Sequence, residues 1–368
     1  MRSITRLLPL VALAALAACS EKSAVAPNAD IALDRVGGGA TVIHVMTRNM
    51  YLGADEDPVV QALISGNQSA IFGALGTALQ QLQHTDYLTR VAAMADEVEK
   101  NRPDVVGLQE AYQLDVYVSA LGFPGPDVHM DLGAALLSAL AKEGLHYVVA
   151  AKNTSTDLLL AGGAIHLVDH DMLLVNAERV SFAGPPVATI FSVNLGNVGG
   201  GVTVLRGYVA RAATIDRLPV LLVNSHLEDF GALFPEVRQA QAAELATFIG
   251  LAPRVILTGD LNDVAGSLMY QVLAGSQLTD TWAALRPRDP GFSCCQAADL
   301  SNPQSILDQR IDYIWTRGLE GPSGGLQGYI RLVSALPSAR VQGAFGLIWP
   351  SDHAGLAADL VVPPPVLP

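Results

Sequence analysis

Short apolar runs that each stop at a polar residue constrain this 368-residue chain more than any other feature. They span Val42 to Arg48, Val105 to Leu108, Asp171 to Val175, Val220 to Val223, Val255 to Leu257, Ile311 to Trp315 and Leu356 to Val361. Runs this short, rich in β-branched residues and bounded by turn formers, predict buried strands. Helical periodicity separates some of them. Leu88, Val91, Ala92, Ala95 and Val98 share one helix face before Pro103, and Val237, Ala240, Leu245, Phe248 and Ile249 do so before Pro253. Strands and helices are thus mixed along the body of the chain, and 50% of its residues are hydrophobic. The mixture predicts a layered α/β arrangement in one domain, and two packed sheets with helices outside would satisfy it.

The polar residues at the ends of these runs point to chemistry. Asn49 comes after the first run in "VIHVMTRNMYLGAD", and Glu110 after the second in "PDVVGLQEAY". "PVLLVNSHLED" ends on His226, and "RVILTGDLND" ends on Asp260 and Asn262. Asp312 lies within "QRIDYIW", while "WPSDHAGL" puts Asp352 and His353 just before the last run. One polar strand end is a turn. A whole series of acids, amides and histidines predicts a site, because open α/β architectures bind ligands at strand ends.

The residue types narrow the chemistry. Carboxylates Glu110 and Asp352, with the amide of Asn49, are hard oxygen donors that suit Mg²⁺, with Mn²⁺ as the substitute. Two histidines and further acids offer general acid–base work. No G-x-x-x-x-G-K-[ST] loop, no H-E-x-x-H and no G-x-S-x-G in a strand-to-helix setting occurs. His44, His129, His146, His166 and His170 have no motif context, and Trp282, Trp315 and Trp349 read as core or rim aromatics.

In this order, "LQE", "NSHL", "GDLN", "RIDYIW" and "SDH" resemble the endonuclease/exonuclease/phosphatase superfamily over roughly residues 40–362. The resemblance implies a four-layered α/β sandwich, two facing mixed β-sheets flanked by helices, with a metal site at one edge. It implies Glu110 as principal metal ligand, Asn49 close to it and Asp352 on the metal's other side. Asp260 and Asn262 then hold the attacking water and a phosphate oxygen. His353 contacts the scissile phosphate, Asp312 orients that histidine, and His226 helps protonate the leaving oxygen. The implied activity is metal-dependent hydrolysis of a phosphate ester, of phospholipid type or a small phosphodiester. The rivals are an extracytoplasmic nuclease and an inactive binding lipoprotein on the same fold. Residues 55–85 depart from the family's usual spacing. They read as a helical insertion, either ordinary packing or part of a substrate-facing wall, with Asp55 as a helix-start acid or a second metal ligand.

The ends of the chain carry other signals. Arg2 and Arg6 precede the apolar "LLPLVALAALAACS", which is too short for a comfortable membrane span. Its end resembles the lipobox of bacterial lipoproteins, which implies a signal peptide at 1–18 and lipid attachment at Cys19. An ordinary secretory signal is the alternative. Residues 19–38 read as a flexible tether, 39–362 as the catalytic domain, and 363–368 as a Pro-rich tail. The expected location is extracytoplasmic, anchored to a bacterial membrane. A net charge of −13 argues against a nonspecific nucleic-acid binder and leaves nucleic acid only as a substrate. Cys294 and Cys295 are adjacent, either free or paired, and Gly-rich 196–201 reads as a hairpin turn.

Overall fold

A computed structural model describes residues 39–229, 233–322 and 324–364. The signal segment 1–18, the tether 19–38 with Cys19, and the last residues of the tail lie outside them. In chain order, the main strands are β1 (Thr41–Asn49), β2 (Val105–Gln109), β3 (Tyr147–Lys152), β4 (Met172–Asn176), β5 (Val187–Ile190) and β6 (Gly207–Ile215). They continue as β7 (Leu218–His226), β8 (Val255–Asp260), β9 (Thr279–Asp280), β10 (Asp312–Arg317), β11 (Gly328–Val333) and β12 (Gly355–Val362). The helices are α1 (Asp57–Ser65), α2 (Gln68–His84), α3 (Tyr87–Asn101), α4 (Leu132–Lys142), α5 (Pro235–Ile249), α6 (Leu268–Gly275) and α7 (Thr281–Leu285). Every predicted run falls on one of these strands, within three residues of its ends.

Two mixed sheets result. One has the order β11-β12-β1-β2-β4-β3; the other runs β5-β6-β7-β8-β10-β9, with Val180–Phe182 beside β6. Each contains one parallel pair, β1 with β2 and β7 with β8. Parallel neighbours need a crossover. Helices α1 to α3 supply the first and α5 the second.

Alternation along the strands builds four layers. Ile43, Val45, Leu173, Val175, Leu222, Ile256 and Ile314 form the core between the sheets. Their neighbours Met46 and Leu174 turn outward onto Val91, Met94 and Leu136 of α3 and α4. Val223, Leu257 and Trp315 turn outward onto Ala242, Leu245 and Leu273 of α5 and α6. Both faces of each sheet are covered, so the runs are continuously apolar. Towards the site the gap narrows and becomes polar. Gln109 Nε2 donates to Asn224 Oδ1 at 2.6 Å, and Asn224 Nδ2 donates to the Leu108 carbonyl at 2.8 Å. Gly107 permits this approach: a Cβ there would lie 2.0 Å from Thr258 Oγ1.

The 55–85 segment folds as α1 and α2. Gly66, with φ 66°, ends α1, and the Asn67 side chain starts α2 by accepting from the Ser69 and Ala70 amides. A smaller four-stranded sheet has no counterpart among the predicted runs. Its order is Val128–Asp131, Gln113–Val116, Ile165–Val168, Asp157–Leu160. The Gly-rich stretch forms a hairpin, Gly196–Gly199 with Val202–Val204.

Candidate active site

Strand direction gathers the site. Asn49, His226 and Asp260 are the last residues of β1, β7 and β8, while Asp312 is the first of β10, which runs antiparallel to β8. The registers His226 with Asp260, and Asp260 with Asp312, set three of these groups side by side. Glu110 follows β2 directly, at φ 54°. Asp352 and His353 precede β12, which is antiparallel to β1.

Asn49 sits at the centre. Its Nδ2 donates to Glu110 Oε1 at 2.8 Å and Asp260 Oδ2 at 3.0 Å, and its Oδ1 accepts from the Tyr51 amide at 2.9 Å. It therefore presents N–H groups to the two carboxylates, and its oxygen is already engaged. Asp260 Oδ1 accepts from the Asn262 amide at 3.0 Å. That bond closes a tight turn in which Asn262 takes φ 51°, a conformation asparagine tolerates better than most residues.

His353 Nδ1 lies 2.8 Å from Asp312 Oδ2, and its Nε2 lies 3.7 Å from Asp260 Oδ2. Burial disfavours its charge, but Asp312, Asp352 and Asp260 together hold its pKa well above the usual histidine value. Arg310, close to Asp312 in sequence, pairs instead with Asp280 at 2.8 Å.

His226 has the opposite electrostatics. Burial, then the positive charges of Arg206 and His353, hold its pKa well below the usual value. Arg206 Nη1 lies 3.0 Å from His226 Nδ1. Arginine can only donate, so neutral His226 accepts at Nδ1 and keeps its proton on Nε2. Asn262 Nδ2 lies 2.9 Å from that nitrogen, which sets two N–H groups against each other. Turning the amide over presents oxygen to the ring and forfeits the 3.1 Å bond from Asn262 to the Leu227 carbonyl.

The acids carry more negative charge than nearby cations balance. Burial, Glu56 and Asp352 push the Glu110 pKa well up. Burial and Asp312 push Asp260 up to about 7, and burial raises Asp352. Asp312 Oδ1 is buried without a hydrogen-bond partner among the described residues. Hard oxygen donors crowded in this way fit a divalent cation, which would remove the repulsion that raises these values. Glu110, His226 and Asp260 bring possible ligand atoms within 4.8 Å of one another, as do Asp260, Asp312 and His353, and Asp352 lies near enough to Glu110 to raise its pKa.

Sequence reading missed several residues here. Arg206 bonds His226, Asp169 Oδ2 at 3.2 Å and Asp229 Oδ2 at 2.8 Å. It stands just before β6 rather than ending an apolar run, and Arg211 interrupts the apolar pattern of that strand. Arg90, fully buried, donates to the carbonyls of Met50 at 2.8 Å, Tyr51 at 3.0 Å and Pro350 at 3.2 Å. It thereby ties the loop after Asn49 to the loop carrying Asp352. Asp55 Oδ1 accepts from the Asp57 amide at 3.2 Å at the start of α1, as a helix-start acid does. Cys294 and Cys295 are bonded to each other, and Cys295 Sγ lies 3.9 Å from His353 Nε2.

Residues 81–353 match the sequence pattern of the Endonuclease/Exonuclease/phosphatase family. The chain belongs to this family. Members of the endonuclease/exonuclease/phosphatase family are phosphoester hydrolases that generally use divalent metals, and this chain is one of these enzymes. Its fold is similar to that of an endonuclease/exonuclease/phosphatase from Beutenbergia cavernae, at 23% identity and TM-score 0.57, covering 88% of this chain and 72% of that one. D. rerio TDP2 complexed with a single-strand DNA product is similar at 15% identity and TM-score 0.51, over 87% of this chain and 99% of that one. The Bacteroides thetaiotaomicron mannosyl-6-phosphatase Bt3783 is similar at 15% identity and TM-score 0.50, over 86% and 99%. These likenesses are of fold. A stretch of 153 residues is 26% identical to a 5-methylthioadenosine/S-adenosylhomocysteine deaminase of Pyrococcus abyssi, covering 39% of this chain and 36% of that protein. The chain thus spans about a third of the length of that curated relative.

Proposed function

We propose that this member of the family is an extracytoplasmic, lipid-anchored phosphodiesterase that works with Mg²⁺, or Mn²⁺ in its place, on phospholipid-type or small phosphodiesters. One observation carries the catalytic part: Asp260 Oδ2 lies 3.7 Å from His353 Nε2 and 3.9 Å from His226 Nε2. An acid, a charged histidine and a neutral histidine thus border one small space beside Glu110. The lipobox-like sequence ending in Cys19 supports the anchor, and the acidic charge of −13 supports a substrate other than long nucleic acid.

Glu110 and Asp352 would hold the ion, which would supply charge stabilisation for the phosphoryl oxygens. Asp260, whose Oδ2 borders the space shared with both histidines, takes a proton from the attacking water. His353 stays cationic against Asp312 and neutralises charge growing on the phosphate. Neutral His226 offers its Nε2–H as a hydrogen bond to the departing oxygen, which takes its proton from solvent water, so the proton that Asp260 gains and later releases balances the one the leaving group takes up.

A hydrolysis panel with Mg²⁺ and with EDTA tests this reading. It should contain bis(4-nitrophenyl) phosphate, sphingomyelin, phosphatidylinositol phosphates, DNA and RNA. The expected result is EDTA-sensitive turnover of the diesters that Glu110→Gln abolishes while the variant keeps its melting temperature. Turnover indifferent to EDTA would sink the metal reading. Turnover confined to DNA or RNA would replace the lipid-type substrate with nucleic acid.

A further inference from the structure

We infer that the cavity under α1 and α2 is a pocket for one aliphatic chain of the substrate, so that the enzyme selects phosphoesters bearing a lipid-type chain. The inference rests on the phosphoester-hydrolase reading above and names the substrate class for that site. The two insertion helices lean over the smaller sheet and enclose a cavity of about 140 Å³. Val60, Leu63, Leu75 and Leu79 line it from the helices, and Leu114 and Leu158 from the sheet. Interiors leave few voids larger than a water molecule, so this space is unusual as packing.

Its polar end makes it more than a void. Asp169 and Arg206 line the cavity while only 2% and 5% exposed. Asp169 Oδ1 and Arg206 Nε have no hydrogen-bond partner among the described residues. Leaving buried polar atoms unpaired is costly, and such atoms at the edge of a cavity mark where a ligand's polar part arrives. Arg206 also bonds His226 at 3.0 Å, so this end lies one side chain from the candidate site. Arg206 is thus shared between the cavity and the site, and a substituent of a phosphate ester would enter the cavity by passing it.

The walls identify the substituent. They are mostly aliphatic, and the other polar residues that line the cavity are chiefly acids, Asp55, Glu56, Asp57 and Asp229. A nucleoside or sugar seated among the aliphatic side chains would give up most of its hydrogen bonds to water. An aliphatic chain loses nothing and gains by burial. Not every apolar residue of the insertion takes part. Leu63 and Leu75 face the cavity, whereas Ile64 packs near Gly199 and Phe72 stacks on Phe123 with ring centres 4.2 Å apart.

Titration calorimetry with n-alkylphosphonates from methyl to octyl, in Mg²⁺, tests the pocket without requiring turnover. Affinity should improve about fourfold per added methylene until the cavity is full. Ala78→Phe, which places a ring in the cavity from α2, should flatten that improvement, with methylphosphonate serving as the reference within each protein. Val60→Phe on α1 makes the same test if Ala78→Phe does not fold. Affinity independent of chain length in the wild type, or an improvement that survives in the folded variants, overturns the pocket. Bis(4-nitrophenyl) phosphate hydrolysis, assayed separately, distinguishes that failure from failure of the hydrolase reading.

Discussion

At the scale of single residues, the site works by giving two histidines opposite charge states. His353 faces three carboxylates, whereas His226 faces an arginine. Asp312 and His353 are joined by a 2.8 Å contact, and in the proposed mechanism they act as one unit. Asp312→Asn and His353→Ala should each reduce kcat on the order of 10²- to 10⁴-fold. The double variant should lose little more than the worse single variant, because residues acting together are non-additive. Losses that multiply would show the two to be independent. Arg206 makes a different prediction. Its positive charge helps hold the His226 pKa down, so Arg206→Gln should let His226 protonate at higher pH. If neutral His226 is the required form, the acid limb of the kcat profile moves to higher pH, with kcat falling up to about 100-fold. An unmoved limb would show that His226 does not set it. Asp260 and Asn262 were legible as a pair from "LTGDLND" because acid and amide end a buried strand together. The direction of the Asn49 amide was not legible, since it depends on which partners three separate strands bring to it.

At the scale of elements, the approach of the two sheets is set by small and polar residues near the site and by aliphatic ones away from it. Gly107→Ala would place a Cβ 2.0 Å from Thr258 Oγ1 and 2.4 Å from Asn224 Oδ1. The expected loss is roughly 1–3 kcal/mol, read as a lower urea midpoint with an unchanged m-value. A wild-type midpoint would show that the sheets part easily at this edge. The central strands were readable because both their faces are buried. The smaller sheet was not. Its strands "QLDV", "VHMD", "DLLL" and "IHLV" have four residues each; the first two alternate polar and apolar residues, but over a stretch too short to stand out, and the last two neither alternate nor make a fully buried run.

At the scale of the whole molecule, the order of polar strand ends carried the family resemblance, and the strands read from it form the middle of the two central sheets, whereas β3, β5, β6, β9 and β11 around them were not read. The proposed membrane attachment rests on residues outside those described, and it is tested in the chain that carries them. Wild-type protein expressed in a bacterial host should sediment with membranes, and Cys19→Ser should move it to the soluble fraction. Sedimentation unchanged in the variant would assign attachment to something other than a lipid on Cys19. No helix among the described residues is long and apolar enough to cross a membrane.

The pairing of β1 with β12 has a consequence for biosynthesis. Thr41 sits opposite Val362, so the domain's earliest strand waits for its latest before the first sheet can close. Closing a loop of that length is entropically slow. His353 lies only two residues before β12, so the candidate site is assembled only as this sheet is completed. Until β12 has emerged from the ribosome, a nascent chain has most of its layers available and an incomplete site.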